Sequence, residues 1–391
     1  MSVPSSTAPP AAVRRTGGRA VGPGGGRVPP RRHGIRGREA LWGWLFATPV
    51  VAVLGLFLLV PILMALWVSL LDWNGQTNPF STSADFVGLG NYTELLSEDG
   101  LDRQLLMTAL RNNFFYVLLV VPLQTAVALL LAVAVNQRLR GRGLFRTAFY
   151  FPSVTSSIAI ATVFLFLFQG DGAVNAMLAL AGIDGPNWFT DARGLTWVLT
   201  DALGLTDGAR APAGLAEQRF LGLPWGEWLA GPSVALCTII VLAVWTTSGT
   251  FMLIFLAALQ DVPPEREEAA RIDGANRRQV FRHVTLPAIR PVLFLVTTLG
   301  LIGTWQVFDQ VYVMSQGAPG NTTLTPAYLS YLQAFEDGQY GKGAAIAFLL
   351  FGLIVVMTLV QRRLMRERDG ARPVRPLRRR GRARPEGRAV R

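Results

Sequence analysis

Six long, predominantly apolar runs set the first limit on how this chain can fold. They cover Leu41–Leu71, Asn113–Val135, Thr147–Phe168, Ser233–Leu259, Val292–Met314 and Gly343–Val360. Each is near or above the ~20 residues a helix needs to cross the hydrocarbon core of a bilayer. The expected fold class is therefore all-α, a polytopic membrane protein with six transmembrane helices. A bend is expected in the first near Pro61, and the third contains Pro152. The first run follows a basic stretch, Arg31 to Arg38, as a signal peptide would. It is far longer than the apolar core of such a peptide, and no small-residue cleavage site follows.

Composition agrees with this division: of 391 residues, 51% are hydrophobic and only 16% charged. Residues 1–39 are rich in Pro, Gly, Ser and Arg and residues 366–391 in Arg, too polar to bury a core. They are expected to be disordered tails around a permease-sized domain at 40–365. The net charge of +12 sits mainly in these tails and in two short segments, 136–146 and 265–291. That placement points to anionic lipid rather than nucleic acid as the partner. The polar segments 72–105, 169–231 and 315–342 carry only Arg103, Arg193, Arg210, Arg219 and Lys342 as basic residues. By the positive-inside rule, both termini and 265–291 are expected in the cytoplasm and the acidic loops outside. Cys237 is the single cysteine, so no intrachain disulfide and no cysteine metal site can form. His33 and His283 lie outside the apolar runs, which excludes a histidine-based catalytic or metal site within them.

The segment Glu265–Pro291 is the longest charged run between apolar blocks. Pro263-Pro264 suits a first helical turn, and Glu265, Glu267 and Glu268 suit the positive end of the helix dipole. Ala269 and Ala270 favour helix, and Gly274 permits a left-handed stop. A second helix is expected from Asn276 to about Val284, with Val280, Phe281 and Val284 on one face and Arg278 and Arg282 on another. Pro287 and Pro291 are expected to close the segment. The result is a helix–Gly–helix elbow.

Glu268-Ala269-Ala270, Gly274, and Val284-x-Leu286-Pro287 at these spacings resemble the EAA loop of ABC importer permeases, with Val284 where isoleucine is more usual. Further stretches resemble the maltose-type sugar permeases: Asn112 or Asn113 with Phe114, Arg142–Arg146 through Pro152, Asn187-Trp188-Phe189, Trp245 with Gly249, Phe308-Asp309 and Gly317-Ala318-Pro319. Together they cover about residues 40–365. The stretch Asp191–Trp225 is longer than this family needs. The resemblance implies a permease subunit of an ATP-driven, binding-protein-dependent importer, most often for carbohydrate, in a bacterial cytoplasmic membrane. It also implies partners: a second permease, an ABC ATPase dimer that binds the ATP, and an extracytoplasmic solute-binding protein. Glu268, Ala269, Ala270, Gly274, Val284, Leu286 and Pro287 would dock on that ATPase. A non-sugar solute such as a polyol phosphate is the alternative cargo.

No cofactor, metal or catalytic site is expected in the chain itself. Gly338-x-x-Gly341-Lys342-Gly343 has the wrong spacing for a phosphate loop and no Ser or Thr after the lysine. Ser248-Gly249 suggests a serine nucleophile, but no histidine in any run can serve as its base. A secondary transporter would need no elbow and usually shows internal repeats, which are absent. Polar side chains within spans tend to face a cavity. Trp245 and Thr247 in the fourth run, and Thr304, Trp305, Gln306 and Asp309 in the fifth, are thus candidates for a substrate path. Helix–helix hydrogen bonding is the other reading of these groups.

Overall fold

A computed structural model describes residues 38–366 apart from 82–83, 138–139, 206–213 and 215–217. The disorder expected of 1–39 and 366–391 falls, but for their inner ends, outside the described residues. The chain divides into a unit ending at Val60 and a second from Pro61 onward. The first is the helix α1 (Arg38–Leu54) and a π-turn over Gly55–Leu59. Where a bend is expected near Pro61, the helix carries a π-turn that ends at Leu59, in the stretch where a proline ring crowds the carbonyl four residues back.

The second unit is mostly helical, with two-residue strand pairs at Leu71–Asp72 with Asp85–Phe86 and at Arg219–Phe220 with Leu223–Pro224. Its centre is a pair of long helices, α2 (Leu101–Asn136) and α5 (Val234–Gln260). The 27 residues of α5 reach about 40 Å at 1.5 Å per residue, more than a bilayer core of about 30 Å. Ala128 and Ala132, one turn apart and fully buried, pack α2 against Phe251, Met252, Phe255 and Leu256 of α5. Nearer the other end, Leu106, Tyr116 and Val120 meet Leu236, Ile239 and Leu242. At Gly249 an added methyl group would strike the Phe149 carbonyl, so the absence of a side chain sets how closely α3 (Arg142–Val154) approaches α5.

Among the described residues, four helices are long and apolar enough to cross a membrane: Trp42–Val68, Leu101–Asn136, Val234–Gln260 and Tyr340–Leu364. Two bent pairs bring the number to six if each is one span. The third expected run is one of these: α3 and α4 (Ser157–Leu167) meet at 96°. Pro152 lacks the N–H that would continue the ladder. The Ser153 and Thr155 hydroxyls donate to the Tyr150 and Phe151 carbonyls at 2.7 and 3.0 Å, so the helix end is satisfied locally. The fifth run is not one helix either. α7 (Arg290–Trp305) ends well before Met314, and a separate short helix covers Asp309–Met314.

The last long helix, α8, runs from Tyr340 to Arg366. At its start the Lys342 ammonium donates to Glu94 Oε1 and to Asp102 Oδ2, both at 2.6 Å. The residues that superficially suggest a phosphate loop are therefore a joint between α8, the helix Gly90–Leu96 and α2.

Candidate functional site

The elbow is assembled almost wholly from its own residues. Pro264 opens α6 (Pro264–Ile272), with Glu265 and Glu267 in the first turn. At its end the Gly274 N–H bonds to the Arg271 carbonyl and the Ala275 N–H to the Ala270 carbonyl, each at 3.0 Å. This is a Schellman stop, and it requires the positive φ of +85° found at Gly274. Asn276 then caps the next helix. Its Oδ1 accepts from the Gln279 N–H at 2.9 Å, and the Gln279 Oε1 accepts from the Asn276 N–H at 2.8 Å. Both exposed donors are thereby satisfied in a reciprocal capping box.

The second half runs farther than expected. After Arg277–Val280 come a π-turn, Phe281–Thr285, and the helical residues Leu286–Ala288. Pro287 does not close the segment, because it occupies the first turn of that last piece, where no N–H is needed. Pro291 likewise opens α7. The direction changes at Ile289, with a 70° bend into α7. Val280, Thr285 and Ile289 are buried, Val284, Leu286 and Pro287 are half-buried, and Arg278 and Arg282 are exposed.

A bond that sequence reasoning missed braces the two halves: the Thr285 hydroxyl donates to Glu267 Oε1 at 2.8 Å. Glu267 also pairs with Arg271 at 3.4 Å. The acid turned inward is thus Glu267, while Glu268 and Ala269 face solvent. Beside them Ile272 is 85% exposed, a large apolar side chain on an otherwise polar helix.

The candidate path residues lie where α7 breaks. Gln306, Val307 and Phe308 separate α7 from Asp309–Met314, which leaves helix-end carbonyls without intrahelical donors. The Asn113 amide donates to the Trp305 carbonyl at 3.1 Å, and the Thr325 hydroxyl to the Val307 carbonyl at 3.1 Å. The preceding residues on α2 act alike on other loops. Arg111 donates to the Gly231 carbonyl at 2.9 Å, and Asn112 to those of Asn321 and Leu324 at 2.8 and 3.0 Å. Three consecutive side chains of one helix therefore hold three separate breaks in the chain.

Beside the α7 break is a cavity of about 230 Å³. Of the residues expected to line a path, Thr247, Thr304, Gln306 and Asp309 stand on its wall. Trp245 and Trp305 do not. Trp305 is buried against Val117, Leu350 and Ile354, and Trp245 packs at a tilt on Phe164, 5.4 Å between ring centroids. The 100° turn per residue sends Trp305 away from the cavity that its neighbours line.

Gln310, next to Asp309 in the fifth run, shares this wall, and sequence reasoning missed Gln124 and Tyr116 on it. Gln124 is fully buried; its Oε1 accepts from Thr247 at 2.7 Å, and its Nε2 has no hydrogen-bond partner. The signal for it was a glutamine in the middle of an apolar run. A methyl group at Gly300 would strike this amide, so the glycine leaves it room. A neighbouring cavity of about 300 Å³ shares Thr247, Phe251 and Gln310 and adds Ser153, Thr155, Ser157 and Thr246. Hydroxyls, amides and one carboxylate make up the polar part of both walls, with no lysine, arginine or histidine among the lining residues.

Residues 124–369 match the family described as binding-protein-dependent transport system inner membrane component. The chain is 31% identical over 326 residues to a probable ABC transporter permease protein, YesP, of Bacillus subtilis, covering 83% of this chain and 90% of that one. It is 31% identical to the lactose transport system permease protein LacF of Rhizobium radiobacter, over 83% and 94% of the two chains. It is 34% identical to the arabinooligosaccharides transport system permease protein AraP of Halalkalibacterium halodurans, over 71% and 74%. A solved bacterial ABC transporter involved in alginate import shares the fold, with a TM-score of 0.63 at 19% identity over 85% of this chain and 97% of that one. A motif-bearing elbow, a bundle of membrane-length helices and a polar cavity at a broken helix are thus joined to a family match over most of the chain: this protein belongs to the inner-membrane permease components of binding-protein-dependent ABC transport systems.

Proposed function

We propose that this chain forms one half of the translocation path of an ATP-driven carbohydrate importer and is moved by a separate ATPase dimer through the elbow at 265–291. The observation that carries the coupling role is the free face of α6. Glu268, Ala269 and Ile272 are exposed on a helix that is braced from behind by the Glu267–Thr285 bond. A small apolar patch beside an unneutralised carboxylate suits a groove with an apolar floor and a basic rim. A push on so firmly capped an elbow is transmitted to α7 as rigid-body motion. In this arrangement both termini and the elbow are cytoplasmic, and a second permease completes the path.

Several relatives are named for the transport of lactose, trehalose and maltose, or arabinooligosaccharides. The cavity chemistry agrees with a neutral polyhydroxylated cargo. Amides and hydroxyls suit sugar hydroxyls, and the absence of any cationic lining residue disfavours a polyol phosphate. The test is Glu268→Lys in the complete importer reconstituted in liposomes. Import and substrate-stimulated ATP hydrolysis are expected to fall at least a hundredfold with the subunits still assembled. Import at the unaltered rate would remove the elbow from the coupling path.

A further inference from the structure

A row of aromatic side chains leads away from the cavity at the α7 break. Phe308, on the cavity wall, lies 5.4 Å from Tyr331 between ring centroids and 5.5 Å from Tyr312. Tyr331 lies 5.3 Å from Phe335, Phe335 5.6 Å from Tyr340, and Tyr340 5.4 Å from Trp73. These rings come from four separate pieces of chain: the α7 break with the helix after it, the 326–336 segment, the start of α8, and the residue after the first strand. Phe308 with Tyr312 and Tyr331 with Phe335 are four-residue helical neighbours, but no local rule brings the four pieces together.

They are not simply core. Phe335 is 66% exposed and Tyr312 38%, while Phe308, Tyr331, Tyr340 and Trp73 are half-buried. Nor is Phe335 set in a lipid-facing stripe, because exposed Glu336, Asp337 and Gln339 follow it directly. Acidic residues at that spacing are costly at hydrocarbon depth. Successive ring planes are tilted by 31 to 72°, so the row is no flat platform, yet its exposed ring carbon lies beside phenols, carboxylates and an amide and is amphipathic in the way a chain of pyranose rings is. Sugar C–H faces pack on aromatic faces, and sugar hydroxyls find acceptors at the rim.

We propose that this row is a binding track for an oligosaccharide, along which successive sugar rings pass from the outer side to the cavity at Phe308. The proposal rests on the carbohydrate reading above and narrows the cargo to chains of several sugar rings. The centroid spacings, between 5.3 and 5.6 Å, offer one ring to the next without a gap that a single sugar unit must cross unsupported.

The test uses the complete importer with its solute-binding protein in liposomes, and two probe series, gluco- and arabino-oligosaccharides of one to five rings. In Tyr331→Leu/Phe335→Leu, initial uptake of chains of three or more rings is expected to fall about tenfold, with single-ring uptake changed less than twofold. Phe335→Trp, which keeps a ring face at the most exposed position, should retain uptake of the long chains. Phe335→Leu alone, at a side chain that packs little, gives the same readout should the double variant fail to assemble. Equal losses at every chain length, no loss at any length, or uptake limited to single rings in the unaltered importer would each overturn the track while leaving the carbohydrate reading intact. A loss that disappears when the solute-binding protein is raised to saturation would make the row a docking face for that protein and overturn the track. No uptake of any sugar by the unaltered importer overturns both.

Discussion

The elbow and the α7 break are both places where a helix stops, and they satisfy their exposed backbone groups in opposite ways. At the elbow, the Schellman turn at Gly274 and the Asn276–Gln279 box lie within a few residues of the ends they cap. At the α7 break, the Trp305 carbonyl is held by Asn113, 192 residues away in sequence. A self-capped joint keeps its shape when the rest of the bundle moves, which suits a handle. A joint capped from another helix changes whenever that helix shifts, which suits the wall of a path that must open and close.

The strongest challenge to this contrast is Gly274→Val. A β-branched residue held at positive φ costs about 1–3 kcal/mol, and each 1.4 kcal/mol is a factor of ten in population. Import is expected to fall about tenfold or more, with the bundle's thermal unfolding midpoint unmoved. A matching drop in that midpoint would mean that the elbow is not self-contained. Gln306→Ala acts on the other joint. Loss of one hydrogen bond to cargo, roughly 0.5–1.5 kcal/mol, should raise the transport constant for sugar about three- to tenfold. The maximal rate and the coupling ratio should stay as they were, and an unchanged transport constant removes Gln306 from the path.

Thr285→Val sharpens the contrast from within the elbow. It deletes the hydroxyl bonded to Glu267, a partly exposed contact worth about 1 kcal/mol after solvent screening. Amide exchange in α6 should accelerate severalfold, with exchange in α5 unaffected. The smallest effect lies outside both joints. The Arg193 guanidinium, by hydrogen bonding, holds the Asp191 carboxyl below its usual range despite an opposing effect of burial. A depressed folded value contributes stability that is fully present above the unfolded value of about 4 and is lost as pH falls through the folded one. Trp197 fluorescence should therefore be flat from pH 7 to about 5 and shift only below about 4. In Asp191→Asn the step should vanish.

Much of the elbow was legible because its rules are local. The prolines, the leading acids, Gly274 and the spacing to Leu286-Pro287 specify the turn within a short stretch. Its far end was misplaced because the helix continues through a π-turn, Phe281–Thr285, into the short piece whose first turn holds Pro287, and nothing in those residues announces that. The bend at Thr155 and the break at Gln306 were read as continuous spans, since hydropathy reports length and not direction. Trp305 was grouped with Gln306 by adjacency, whereas the helix turns them to different neighbours.

The sequence alone determined the all-helical class, the presence of membrane-length runs and the elbow. Hydrophobic length and local capping act over one or two dozen residues, and those are written in the order of the chain. Only the tertiary structure decided that Arg111, Asn112 and Asn113 clasp three distant loops, that Gln124 faces the cavity, and that four pieces of chain bring their aromatic rings into one row. A buried polar group takes whichever partner packing brings within hydrogen-bonding reach, and no local pattern states which one that will be.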